Sequence, residues 1–239
     1  LVMEYIDGES LDSIVEKRGA MSELQAKEVI GQLAKAVDYI HRNKFVHYDI
    51  KPANVMLSST NKIKLIDFGL SKHYGKDGKQ TTLGVTQGVS EGFSPIEQYK
   101  MGSLREFSPR TDIYSVGATM AYLLTGKVPP SALDNKLPVL PSSVSEPVRQ
   151  GVYVSMSNKA SDRPNTIAEF IQIIGGKLQP QADKFKAQDS GSSLPPPYFD
   201  KELNKSEEFI NEIFTINGVS FKMVAVKGGT FTMGATPEQ

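Results

Sequence analysis

Residues 111–126 read TDIYSVGATMAYLLTG, a run that is apolar on nearly all sides. A helix without a polar face has to be surrounded by protein. The rest of the chain supplies what must pack around it. A short helix is expected from residue 10 to about 17, stopped by Gly19. Ser22-Glu23-Leu24-Gln25 has the S-x-x-Q pattern of a capping box, so a helix should follow to about residue 42. Its apolar face is Ala26, Val29, Ile30, Leu33, Val37 and Ile40, at helical spacing. Two further helices are expected near 145–156 and 166–174. The second opens on another capping box, Thr166-Ile167-Ala168-Glu169, and ends at Gly175-Gly176. Residues 1–6 read as a strand that Asp7-Gly8 ends. The apolar runs 54–58 and 62–66, joined by Ser59-Thr60-Asn61, read as a small hairpin. The fold expected is therefore mainly α, built around the buried helix.

A chain of 239 residues suffices for one sizeable core, or for one domain with pieces of another. No apolar stretch is long enough to span a membrane. The 27 basic and 27 acidic side chains balance, so no whole-molecule field gathers nucleic acid or anionic lipid. The absence of cysteine excludes disulfides and thiolate metal sites and suits a cytoplasmic protein. No signal peptide is visible, and Leu1 stands in a strand already under way, so native sequence is expected upstream.

Between residues 69 and 92 periodicity disappears, as in a long loop, which inside a compact domain is usually functional or disordered. Residues 127–143, rich in proline and serine, read as irregular. Residues 177–208 are polar and include DSGSSLPPP, the composition of a flexible linker. After it, Asn217-Gly218 and Gly228-Gly229 are hairpin signals in a β-rich run expected to hold three short strands. The expected organisation is a lobe over 1–176, a linker over 177–208, and the beginning of a second β-rich domain over 209–239.

The chemistry concentrates in FVHYDIKPANVML, residues 45–57. Moving a phosphoryl group from ATP to a hydroxyl needs a carboxylate that orients the hydroxyl and takes its proton. It also needs oxygen ligands for Mg²⁺ and a cation near the transferred group. Asp49, Asn54, Asp67 and Lys51 are those residue types. Asp49 and Asn54 share one tight loop, and the hairpin carries the chain back towards Asp67. A capping role for Asp49 would not require Lys51 and Asn54 at fixed offsets.

His47-Tyr48-Asp49-Ile50-Lys51-Pro52-Ala53-Asn54 resembles the catalytic loop of protein kinases, and Asp67-Phe68-Gly69 resembles their D-F-G. Ser94-Pro95-Ile96-Glu97 stands where that family has A-P-E. Asp112 stands where an aspartate braces the catalytic loop, and Arg163 matches the arginine paired with the A-P-E glutamate. The motifs occur in the family's order across residues 1–175. The resemblance implies a mainly α, protein-kinase-like large (C-terminal) lobe with a small β-hairpin at the cleft, plus a short C-terminal β-rich segment. It implies Asp49 as catalytic base, Lys51 beside the γ-phosphate, and Ser90 in contact with the base. Asn54 and Asp67 would hold Mg²⁺. Met3, Glu4, Tyr5 and Ile6 resemble the hinge that binds the adenine of ATP through its backbone, with Met56 as the floor. His47 and Phe68 resemble packed spine residues. The partner implied is a protein presenting serine or threonine, since Lys51 in DIKPAN is the residue expected for that group.

Two departures matter. Tyr48 replaces the arginine that in many kinases pairs with a phosphate on the activation loop. A tyrosine has no charge to do this, so activity should survive replacing Thr81, Thr82 and Thr86 by alanine. Second, the glycine-rich loop, the strand lysine and its glutamate precede this sequence in the family. The chain alone is therefore expected to have little or no kinase activity. Small-molecule phosphotransferases of the aminoglycoside type share H-x-D-x-x-x-x-N but usually lack D-F-G, A-P-E and the paired arginine. A pseudokinase or sensor scaffold is the non-enzyme alternative, opposed by the retained Asp49, Lys51, Asn54 and Asp67. FTINGVSFKMVAVKGGTFTMGATPEQ, at the C-terminal end, resembles the opening strands of formylglycine-generating, sulfatase-modifying domains, without their catalytic residues.

Overall fold

The structure, a computed structural model, describes residues 6–80, 88–100, 108–178, 212–216 and 219–223. The chain divides into two compact units, Leu1–Lys184 and Phe185–Gln239.

In the first unit the apolar run forms helix α3, Pro109–Thr125, whose residues from Thr111 to Leu124 are all buried. Pro109 suits the first turn, where its missing N–H would have had no helical partner. Gly126 ends the helix in the left-handed region, with φ 68°, and its N–H reaches the Tyr122 carbonyl at 2.8 Å. Helix α1 (Leu11–Arg18) is capped by Ser10. Helix α2 (Glu23–Arg42) has the expected capping box, with the Ser22 and Gln25 side chains each accepting the other's backbone N–H. Its buried face is Ala26, Val29, Ile30, Leu33, Ala34 and Val37, packed against α3. Ile40 is only half-buried, and His41 takes the buried place in the last turn.

Helices α4 (Glu146–Ser155) and α5 (Ile167–Ile173) complete the enclosure. A Cβ on Gly117 would stand 1.9 Å from the Ser155 hydroxyl, so glycine is what lets α3 and α4 approach. The Glu23 carboxylate accepts the Ser145 N–H and hydroxyl, each at 2.7 Å, tying the start of α2 to the start of α4. At α5 the Thr166 hydroxyl accepts the Glu169 N–H, but Glu169 returns its bond to the N–H of Asn165 and not to that of Thr166. One half of the expected capping box is shifted by a residue.

Strands β1 (Gly8–Ser10), β3 (Val55–Ser58) and β4 (Ile63–Leu65) form one antiparallel sheet in the order β1-β3-β4. The hairpin is as expected, but Gly8 opens a described strand where a strand end was expected. Gly8 pairs with Ser58, and a Cβ there would lie 2.3 Å from the Leu57 carbonyl oxygen. From α2, the Gln32 amide donates to the Asn61 carbonyl and accepts from the Ile63 N–H, both at 3.1 Å, docking the hairpin on the helix. Strand β2 (Phe45–Val46) pairs with β5 (Lys72–His73), inside the stretch read as loop. Lys72 is half-buried there. A two-residue strand has no periodicity to betray it in sequence. Residues 127–143 are irregular apart from a short 3-10 turn, Ala132–Asp134.

In the second unit, β6 (Glu212–Ile216) and β7 (Val219–Met223) pair antiparallel, with Ile216 opposite Val219 as a two-residue connection requires. The Gly228-Gly229 signal lies outside the described residues. No helix among the described residues is long and apolar enough to cross a membrane.

Candidate active site

Asp112, in the first turn of α3, is fully buried. Its Oδ2 accepts the His47 N–H at 2.9 Å and the His41 ring Nε2–H at 2.8 Å, and its Oδ1 accepts the Tyr48 N–H at 2.9 Å. Burial pushes its carboxyl up. The hydrogen bond and attraction of His41, with the His47 N–H, outweigh burial and hold the pKa below its ordinary value. This carboxylate bends the chain. Tyr48 is left-handed at φ 66°, a conformation that strains a side-chain-bearing residue by about 1–2 kcal/mol. Two backbone bonds to one carboxylate offset that strain, and the turn presents Asp49.

Asp49 is 9% exposed and saturated with donors. Its Oδ1 accepts the Ser90 hydroxyl at 2.7 Å. Its Oδ2 accepts Asn54 Nδ2 at 2.8 Å and pairs with Lys51 Nζ at 3.0 Å. Lys51 Nζ also donates to Ser90 Oγ at 2.9 Å, and Asn54 Nδ2 also donates to the Asp49 carbonyl at 2.9 Å. Asp49, Lys51, Asn54 and Ser90 thus form one cluster. The carboxylate faces a cation and a polar rim, and an incoming hydroxyl can replace one of its donors.

His47 links this loop to Asp67. The Asp49 N–H can only donate, so His47 Nδ1 accepts it at 3.3 Å, and Nε2–H donates to the Ile66 carbonyl at 3.1 Å. Burial, the largest influence, pushes the His47 pKa down, against the raising effect of Asp112, so the ring is the neutral Nε2–H tautomer. The Ile66 N–H reaches the Asn54 carbonyl at 2.9 Å. Asp67 follows, left-handed at φ 59° and exposed, with its Oδ1 accepting the Gly69 N–H at 3.1 Å. Phe68 lies edge-on to His47, with ring centroids 4.7 Å apart, and remains 49% exposed.

The segment carrying Ser90 is bolted to the helices. Glu97 meets Arg163 through two bonds, of 2.6 and 3.0 Å. The Arg163 side chain is buried over the Tyr114 ring, 5.1 Å from its centroid, and its Nε–H reaches the Ser157 carbonyl at 2.7 Å. Gln98, buried, donates from Nε2 to the Tyr48 carbonyl at 2.8 Å, joining this segment to the catalytic-type loop. The Gln98 and His41 contacts have no spacing signal in the sequence; each depends on chain brought from far away.

Met56 is half-buried in β3, and Ile6 is half-buried before β1. Met3, Glu4 and Tyr5, and also Thr81, Thr82 and Thr86, lie outside the described residues. The oxygen donors fit Mg²⁺. Asn54 uses its amide nitrogen on Asp49, which leaves the carbonyl oxygen for a hard cation, and the Asp67 carboxylate is exposed. Mg²⁺ takes one or two protein oxygens and fills the rest with water and phosphate.

A helical lobe around α3 with this carboxylate cluster at its rim has the architecture of a kinase large lobe. A family model described as "Protein kinase domain" matches residues 1–184, and the chain belongs to that family. Serine/threonine-protein kinase PknB of Mycobacterium tuberculosis is 37% identical over 147 residues, covering 61% of this chain and 23% of that protein. Serine/threonine-protein kinase F of Synechocystis is 30% identical over 209 residues, covering 82% and 41%. Serine/threonine-protein kinase B of the same organism is 38% identical over 136 residues, covering 54% and 23%. The chain therefore spans less than half the length of these relatives. The family match ends before residues 209–239.

Proposed function

We propose that the chain carries the large lobe of a serine/threonine protein kinase that moves the γ-phosphate of ATP to a hydroxyl of a protein substrate. One observation carries the reading: Asp49 bonds simultaneously to Lys51, Asn54 and Ser90, at 3.0, 2.8 and 2.7 Å. Asp49 orients the substrate hydroxyl and accepts its proton, with its charge held in place by Ser90 and Asn54. Lys51 places a cation where negative charge develops. The oxygens of Asn54 and Asp67 would hold Mg²⁺, which would offset the phosphate charge. The backbones of Met3, Glu4 and Ile6 bind adenine over Met56. The relatives' names support serine and threonine as acceptors. Residues 177–208 serve as a linker, and 209–239 begin a second domain of the formylglycine-generating type.

The test is transfer from Mg-ATP to a general protein substrate by the full-length natural protein, beside its Asp49→Asn variant. Transfer that disappears in the variant is expected. Transfer by neither would overturn the reading in favour of a binding scaffold, and equal transfer by both would overturn the role given to Asp49.

A further inference from the structure

Tyr48 stands where an arginine was expected, and its hydroxyl is hydrogen-bonded to that of Tyr74. Tyr48 is 2% exposed and Tyr74 1%, in a small cluster with Val46 and half-buried Leu70, separate from the main core. Each phenol oxygen in such a pocket needs a polar partner, and each is the other's. Burial is the largest influence on both phenols and pushes both pKa values up, so both keep their protons.

The chain positions of the pair give it a consequence. Tyr48 precedes Asp49. Tyr74 ends the stretch that begins at Asp67. That stretch is held at one end by Ile66, through its bonds to Asn54 and His47. At the other end it is held by the two-residue pairing of β5 with β2, by the Tyr74 N–H on the Lys44 carbonyl at 2.9 Å, and by the hydroxyl pair. Between these ends Asp67 is exposed and left-handed, with the Gly69 N–H on its carboxylate. Its position therefore depends on both ends. An arginine at 48 would bring a charge that needs an anion to answer it. Two neutral phenols need none.

We infer that Tyr74, acting through Tyr48, is a positioning residue: the hydroxyl pair clamps the segment after Asp67 onto the Asp49 loop without any phosphate group. Its catalytic half rests on the phosphotransferase reading above; its structural half does not. Removing the Tyr74 hydroxyl strands that of Tyr48 in an apolar pocket, which is worse than removing both. Stability and turnover should therefore separate. In the double Phe variant the stranded phenol is gone and stability returns, but the clamp is still missing.

The experiment uses the full-length protein with Tyr48→Phe, Tyr74→Phe and the double substitution, which keep both rings. Amide exchange at residues 72–74 is compared with exchange within α3, alongside Tm, kcat, KM and the Mg²⁺ concentration for half-maximal rate. Each single variant should speed exchange at 72–74 about three- to tenfold, the scale of one hydrogen bond, and leave α3 unchanged. Each should lower kcat by a similar factor and raise the Mg²⁺ requirement, with KM for the protein substrate unchanged. The double variant should recover Tm and not kcat. Phosphatase treatment of the unsubstituted protein should change neither exchange nor kcat. Unchanged exchange in the single variants overturns the clamp. Faster exchange with unchanged kcat, or a double variant that recovers both Tm and kcat, overturns the positioning role. Loss of protection or turnover on phosphatase treatment overturns the phosphate-free part. If neither the unsubstituted protein nor Asp49→Asn transfers phosphate, the function reading fails by itself, and exchange still decides the clamp.

Discussion

Helix α3 and the loop from His47 to Asn54 are both buried, for opposite reasons. Along α3 the side chains are mostly apolar, the backbone is satisfied within the helix, and burial itself supplies the stability, at about 1.5–3 kcal/mol for each large apolar side chain. In the loop, His47, Asp49 and Asn54 are polar and Tyr48 is left-handed, so burial costs stability and each group is held by a named bond. The two regions meet at Asp112, which belongs to the helix by sequence and to the loop by its bonds. The core can be perturbed without touching chemistry, and the loop can lose its chemistry while the fold stands.

Four substitutions break or sharpen this contrast. Asp49→Asn should reduce transfer about 10³-fold or more, within the range expected for a lost general base, and leave Tm almost unchanged. Leu33→Ala, at a fully buried site of α2, should do the reverse. It should destabilise by about 2–5 kcal/mol, read by denaturant unfolding, and leave kcat intact at temperatures where the protein is folded.

Asp112→Asn tests the joint, and both readouts should move. Loss of charge-assisted bonds should cost about 2–3 kcal/mol, and kcat should fall as the Tyr48 turn loosens. The pH dependence has a definite sign. The folded-state pKa of Asp112 is depressed, so its stabilisation is fully present above the unfolded value of about 4. It is lost as pH falls towards the folded value. Stability curves should show this acid limb in the natural protein and a flatter one in Asp112→Asn. Ser22→Ala, at the capping box of α2, should have the smallest effect, about 1 kcal/mol, with no change in kcat.

Much of this was legible in the sequence. Helices α1 to α5 announce themselves by apolar spacing, capping residues and glycine stops, which are local properties of the chain. The grouping of Asp49, Lys51 and Asn54 is legible because they share one short turn, whereas Ser90 joins them only through the fold. The misreadings have a common cause. Strand β5 was read as loop, Gly8 as a strand end, and the Glu169 bond as closing on Thr166. Each depends on a partner's position and not on a repeating local pattern.

The sequence by itself determined the mainly helical lobe, its buried central helix and the polar residues grouped between His47 and Asn54, because periodicity and short-range spacing act within a few residues. Only the tertiary structure decided which donors converge on Asp49, that His47 is the neutral Nε2–H tautomer, and that Tyr48 answers Tyr74. Ser90 and Tyr74 reach their partners from 41 and 26 residues away. Such pairings are set by the packing of helices around α3, which no local stretch of sequence encodes.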